Sequence, residues 1–383
     1  MSNRKETRVM PNRLKIAVGD YDFTIFITVI LLILVGIVMV FSSSYYVAST
    51  SAKYHYDMYY LVRRQAMAAA LGVGAMIVMA NFDYKRLKKF AFPLYVVSIG
   101  LLIYTSLFGI SVGGARRWIE LPLLGRFQPS ELAKVGIILF ISNFIAERPK
   151  LLKSLIRTVV PALFVGIVCV IIAIGTRNAS SAIIIAVIGF GIIFIASPHT
   201  AIFVILGSGA AGLMALMLSV STSFRGNRWD AWLDPFSDPR GIGFQPIQSL
   251  YAIASGGMFG LGLGQSRQKL GFIPEAHNDI IFSIIAEELG LVGSVLVLFL
   301  FAVLVWRAVK VAINAPDLFG SLVAAGIALM IGSQVVINVA VVTNTIPNTG
   351  VPLPFISYGG TSLSILIFCM GILLSISRYS KQK

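Results

Sequence analysis

Charge is scarce in this chain of 383 residues: Asp, Glu, Lys and Arg make up 12% of it, whereas a soluble domain carries about a quarter. Hydrophobic residues fill 57%, a balance that excludes a soluble globular fold. Acidic side chains are the scarcer sign, 16 against 31 Lys and Arg, for a formal charge of +15. The basic residues are scattered between apolar runs instead of forming a block, so the bilayer explains the excess and no nucleic-acid partner is expected. Cysteine occurs twice, at Cys169 and Cys369, each inside an apolar run. Neither a disulfide framework nor a cysteine metal site is supported.

What is abundant is apolar sequence. The stretch 23–40 (FTIFITVILLILVGIVMV) carries no charge, and a helix needs about 20 apolar residues to cross a bilayer. It follows a basic segment but is longer than a signal-peptide core and lacks a small-x-small cleavage site, so it is expected to stay as an anchor. Ten such spans are expected, near 23–43, 65–81, 90–110, 130–145, 159–175, 181–196, 201–220, 280–306, 321–342 and 360–377. The expected fold is thus an all-α integral membrane protein: a tail over 1–22, one ten-helix domain over 23–377 and a tail over 378–383. Clusters at Arg4 to Lys15, Lys85 to Lys89, Arg148 to Arg157 and Arg307 to Lys310 fall on the side of both termini, which the excess of Lys and Arg in short loops makes cytoplasmic.

The large hydrophilic segment, 221–279, then lies on the extracytoplasmic face between the seventh and eighth spans, and a loop of that size is uncommon unless functional. Its GGMFGLGLGQ stretch (256–265) has glycine spacing without the strand and helix of a dinucleotide site. No internal repeat is evident, which weakens a transporter built from inverted halves.

Two constellations can carry chemistry. The first, RRWIELPLLGRFQPSELAK (116–134), joins Arg116 and Arg117 to Glu131 and Lys134. Guanidinium forks suit a phosphate or pyrophosphate, although lipid headgroup anchoring is equally open. Glu131 and Lys134, three apart, share a helical face and can pair, either as a structural lock or as part of a site. The second, GFIPEAHNDIIFSIIAEELG (271–290), gathers Glu275, His277 and Asp279 where the loop enters a helix. An aspartate there is commonly a cap. Glu287 lies eight residues on, about 12 Å deeper, where a carboxylate requires a partner or a polar cavity. The spacing of Glu275, His277 and Asp279 is not diagnostic of a metal, and His277 reads as a surface histidine. The polar re-entry TNTIPNTGVPLPFISYGG (343–360) is a cavity wall or a plain connection.

At these residues the chain resembles the SEDS (shape, elongation, division and sporulation) family of bacterial membrane proteins. The resemblance is carried by GARRWI (114–119), FQPSELAK (127–134), the stretch 244–290 and TGVPLPFISYGGTSL (349–363). The APDLFGSLVA stretch (315–324) and LGQSRQKLGFIPE resemble the FtsW and SpoVE branches more than RodA. The resemblance implies a peptidoglycan glycosyltransferase that polymerises lipid II into β-1,4 glycan strands for division or sporulation, in partnership with a class B penicillin-binding protein and other membrane proteins of that machinery. It implies that the essential acid is Asp279 and that Gln128, Glu131 and Lys134 line a central cavity. Gln248, Gln265, His277 and Ser357, inside the matching stretches, complete the expected substrate-binding set. One departure stands out: where the family shows Gln-Pro-Asp-Leu-Gly-Thr, this chain has Thr176, Arg177, Asn178, Ala179, Ser180 and Ser181.

Such a reaction requires a carboxylate base near the membrane surface, cations for the departing diphosphate and an apolar groove for the lipid tail. The expected assignment is Asp279 as base, with Arg116, Arg117 and Lys269 or a divalent ion (Mg2+ or Mn2+) on the diphosphate. The rival readings are a lipid II flippase, with Glu131, Lys134 and Glu287 along its path, and a scaffold that recruits the transpeptidase.

Overall fold

The structure, a computed structural model, describes residues 19–112, 115–121, 125–150, 155–197, 226–273 and 275–380. Among them nine helical stretches are long and apolar enough to cross a membrane, and they coincide with nine of the ten expected spans. The expected span at 201–220 lies outside the described residues. In chain order the helices are α1 (Phe23–Thr50), α2 (Tyr60–Asn81), α3 (Lys88–Phe108), α4 (Pro129–Glu147), α5 (Leu155–Val170, continued by a wide turn over Ile171–Gly175), α6 (Ala179–Ala196), α7 (Gly226–Leu233), α8 (Phe244–Gly256), α9 (Ile281–Asn314), α10 (Leu318–Val342) and α11 (Gly360–Tyr379). Large apolar side chains such as Leu34, Val78, Phe92, Leu296 and Phe299 are exposed along them. In water that surface would be untenable; it belongs against lipid.

Polar residues set the helix ends. Asp22 accepts from the amides of Thr24 and Ile25 at the start of α1 and also holds Arg307 at 2.5 Å. Asp317 caps α10 through Gly320, accepts from the Tyr84 hydroxyl and pairs with Lys88. Pro129 opens α4, where its missing N–H costs nothing. Gly19 and Arg378 exchange hydrogen bonds, and Arg378 also reaches Asn81. Both ends of the described chain therefore share one end of the bundle, together with the basic α2–α3 turn. α2 lies along α11 at close range: a Cβ on Gly72 would meet the Ile367 side chain at 2.8 Å, the small-residue contact that membrane helices use in place of a hydrophobic drive.

The α9–α10 turn joins the termini and the α2–α3 turn at that end through Asp317 and Lys88, and the opposite end holds the α3–α4 connection. Here the helical architecture gains a small antiparallel sheet: β1 (Ile110–Val112), β2 (Ala115–Leu121) and β3 (Gly125–Phe127), in that order. Glu120 stands opposite Arg126 across β2 and β3, an opposite-charge cross-strand pair.

α9 is broken once, at Gly290, whose φ of 69° no helix contains. Gly260, also left-handed, packs into the break, and a Cβ there would lie 2.2 Å from the Glu288 carbonyl oxygen. The freed backbone groups are paired across it: Leu261 and Gly262 donate to the carbonyls of Glu287 and Glu288, and Leu291 and Val292 donate to those of Gly257 and Met258. Gly256 and Gly260 of the GGMFGLGLGQ stretch thus serve close backbone approach, which pairs groups that membrane depth would otherwise leave unsatisfied.

Candidate active site

Asp279 sits at the end of the bundle remote from the termini, half-buried, two residues before α9. Asp279 does not occupy the capping position that sequence allows for it: that position is Ile280, with no side-chain cap. Its backbone is pinned instead. The buried Asn338 amide on α10 donates to the Asp279 carbonyl at 2.6 Å and to the Val351 carbonyl at 2.8 Å. Gly350, left-handed at φ 68°, brings the re-entry segment against the carboxylate, with room for a Cβ only 3.3 Å from Asp279 Oδ2. The segment 343–360 is therefore a wall of the Asp279 site. Ser357 is buried within that wall, its hydroxyl accepting from Leu353 N and its carbonyl from Gln65.

His277 is not the surface histidine that its setting suggests. It is 2% exposed, its ring edge-on to Tyr358 at 5.6 Å and its carbonyl accepting from Tyr358 N. Burial pushes its pKa down to about 4, so it is neutral at physiological pH. Glu275 turns away to Asn278 and Lys53. The three side chains do not converge, and among the described residues no three His, Cys, Asp or Glu side chains gather as a metal site. The residues present do not fit a protein-held cation.

The tandem Arg116 and Arg117 separate because successive strand residues point to opposite faces. Arg116 donates to the Ser106 and Leu107 carbonyls at the end of α3, where a cation also complements the helix dipole. Arg117 reaches across to the Arg177 carbonyl at 3.3 Å. In the departing hexapeptide Asn178 caps α6 by accepting from Ser181 N, a task Asn performs as well as Asp. Ser180 donates to the Thr349 carbonyl, next to Gly350.

Lys269 is the clearest correction. Expected at a diphosphate, it is 1% exposed and paired with Glu288 at 2.6 Å, with Ser42 at 2.9 Å and the Tyr45 ring at 5.0 Å. A lysine committed to a buried carboxylate is not available to a ligand. Beside it Glu287 accepts from the Ser266 hydroxyl and Arg267 N. This closed cluster straps the loop and α1 to α9 one turn above its break. Glu131 and Lys134, in the first turns of α4, form a second closed pair at 2.8 Å, and Ser362 donates to the other Glu131 oxygen. Among the described residues the two clusters share no hydrogen-bond or ion-pair partner. Gln128 precedes α4 without capping it, Gln248 is half-buried on α8, and Gln265 is exposed in the loop.

Several residues of this end escaped the sequence: Glu288, Ser42, Ser362, Asn338 and Arg64. Arg64 lies over the Tyr60 ring at 5.3 Å and beside Tyr358, in a groove also lined by Arg63 and Met67. Only Arg64 carried a signal, as an arginine at the mouth of an apolar helix.

Comparison with known proteins accords with this arrangement. The model of the FtsW/RodA/SpoVE cell cycle protein family matches residues 22–382. The chain is 41% identical to stage V sporulation protein E of Bacillus subtilis, over 94% of this chain and 98% of that protein. It is 39% identical to the probable peptidoglycan glycosyltransferase FtsW of Trichlorobacter lovleyi, over 94% and 93%. Among solved structures it superposes on a chain from a peptidoglycan synthase complex that coordinates polymerization and crosslinking, with a TM-score of 0.76 and 30% identity, covering 94% of this chain and 98% of that one.

Proposed function

The chain belongs to the FtsW/RodA/SpoVE family of cell cycle proteins, and on that premise we propose that it is a multi-pass membrane peptidoglycan glycosyltransferase acting on lipid II. The observation that carries the reading is the Asp279 carboxylate at the loop end, backed by Asn338 and faced by Gly350. In the reaction, Asp279 takes the proton of an acceptor 4-hydroxyl as that oxygen forms a bond to the donor's anomeric carbon. The bond from that carbon to the diphosphate breaks, and the polyprenyl diphosphate leaves with the electron pair. Single displacement converts the α-linked donor into a β-1,4 link. Arginine forks at the same end stabilise the departing charge.

Both termini are assigned to the cytoplasm, because Lys85, Arg86, Lys88 and Arg307 gather at the end where Gly19 meets Arg378. The acceptor and the growing strand are then extracytoplasmic. A class B penicillin-binding protein is the proposed partner, in keeping with the coupled polymerization and crosslinking of the related complex. A divalent cation would enter with the substrate diphosphate. Purified protein given labelled lipid II, with and without the partner, tests the reading: glycan chains support it, and lipid transfer across the bilayer or recruitment without chains contradicts it.

A further inference from the structure

Arg117 faces away from its sequence neighbour Arg116 and donates to the backbone carbonyl of Arg177, sixty residues on. Arg177 has φ 51°, the left-handed region that suits glycine or asparagine and that other residues hold when their surroundings impose it. The surroundings are visible. Thr176 donates from its hydroxyl to the Ile172 carbonyl, Asn178 N donates to that same carbonyl, and the Asn178 side chain caps α6. Between these anchored neighbours Arg177 is exposed, and its guanidinium has no hydrogen-bond or ion-pair partner among the described residues. The Arg117 guanidinium on β2 is thus tied to the backbone of the short turn that carries Arg177. That turn leads through Ser180 to Thr349 and Gly350, and so to the Asp279 carboxylate.

We propose that Arg177 and Arg117 together form a diphosphate grip on the donor side of the Asp279 site, with Arg177 as the residue that sets donor affinity. The proposal rests on the glycosyltransferase reading for its substrate. Two guanidinium forks match the paired phosphoryl groups of a diphosphate better than they match a single phosphodiester.

Thermal stability in neutral phosphatidylcholine nanodiscs, with and without inorganic pyrophosphate, tests the grip without any need for turnover. Pyrophosphate should stabilise wild type, and Arg177→Lys less so. Arg177→Gly should be at least as stable as wild type without ligand, because glycine suits the backbone, yet should gain nothing from pyrophosphate. With lipid II as substrate, Arg177→Gly should raise KM about tenfold or more, the size of one lost charge-assisted hydrogen bond, and weaken pyrophosphate inhibition by a similar factor. An equal pyrophosphate response in wild type and Arg177→Gly, or none in wild type, overturns the proposal. So does a difference that arises only when phosphatidylglycerol is present, which would make the ligand a lipid headgroup. If wild type binds pyrophosphate through Arg177 but makes no glycan, the glycosyltransferase reading fails and the diphosphate site stands.

Discussion

Replacing Lys269 by Met would leave the buried Glu288 carboxylate, next in sequence to the buried Glu287, without its cation. Glu288 is fully buried and accepts from Lys269 Nζ at 2.6 Å, Ser42 Oγ at 2.7 Å and Ser266 N at 3.3 Å. Removing one partner of such a pair costs about 3–5 kcal/mol, because the remaining ion keeps its desolvation penalty. Glu288→Gln should cost less than Lys269→Met: it keeps an acceptor for Ser42, and the ammonium retains Ser42 and the Tyr45 ring. In the double variant both charges leave together. The loss should then fall short of the two single losses by about 2 kcal/mol or more, the coupling of residues within one buried network. Equilibrium unfolding in mixed detergent–SDS micelles measures all four corners of this cycle. A lysine that touched diphosphate would behave differently, raising KM with stability unchanged. Additive losses, or a Lys269→Met variant as stable as wild type, would refute the buried-network account.

The other consequences concern His277 and the α4 pair. The unfolded chain binds a proton at His277 below the ordinary pKa of 6.5, whereas the buried folded form refuses it down to about 4. Stability is therefore full above pH 6.5 and is lost as pH falls from 6.5 towards 4, by at most about 1.4 kcal/mol per pH unit. His277→Gln should flatten the fall in melting temperature between pH 7 and pH 5, and an unchanged slope would count against it. Lys134→Met leaves Glu131 buried beside Ser362 and should cost about 3–5 kcal/mol together with activity. Wild-type glycan synthesis by that variant would remove the pair from the site.

The spanning helices were legible because uncharged runs of bilayer length have no other stable outcome. Asp279 was legible in position, at the mouth of a helix. The sheet at 110–127 was not, because its strands are short and follow no clean alternation of apolar and polar residues. The adjacency of Arg116 and Arg117 misled for the same reason: read as a connection, they form one clamp, and read as a strand, they face apart. The lock between Lys269 and Glu288 also draws on Ser42, 246 residues from Glu288, and no local pattern announces such a pairing. The loop glycines could be rejected as a nucleotide motif from sequence, but their use appears only beside the break at Gly290.

The central claim is that Asp279 is the base of glycan polymerisation, and Asp279→Asn tests it most directly. The change preserves shape, and Ile280 occupies the capping position, so folding and membrane insertion should be unaffected. Glycan chain formation from purified lipid II, measured at equal amounts of monodisperse wild type and variant, should fall about 10²–10⁴-fold, the usual contribution of general base catalysis. Chain formation close to that of wild type would contradict the account.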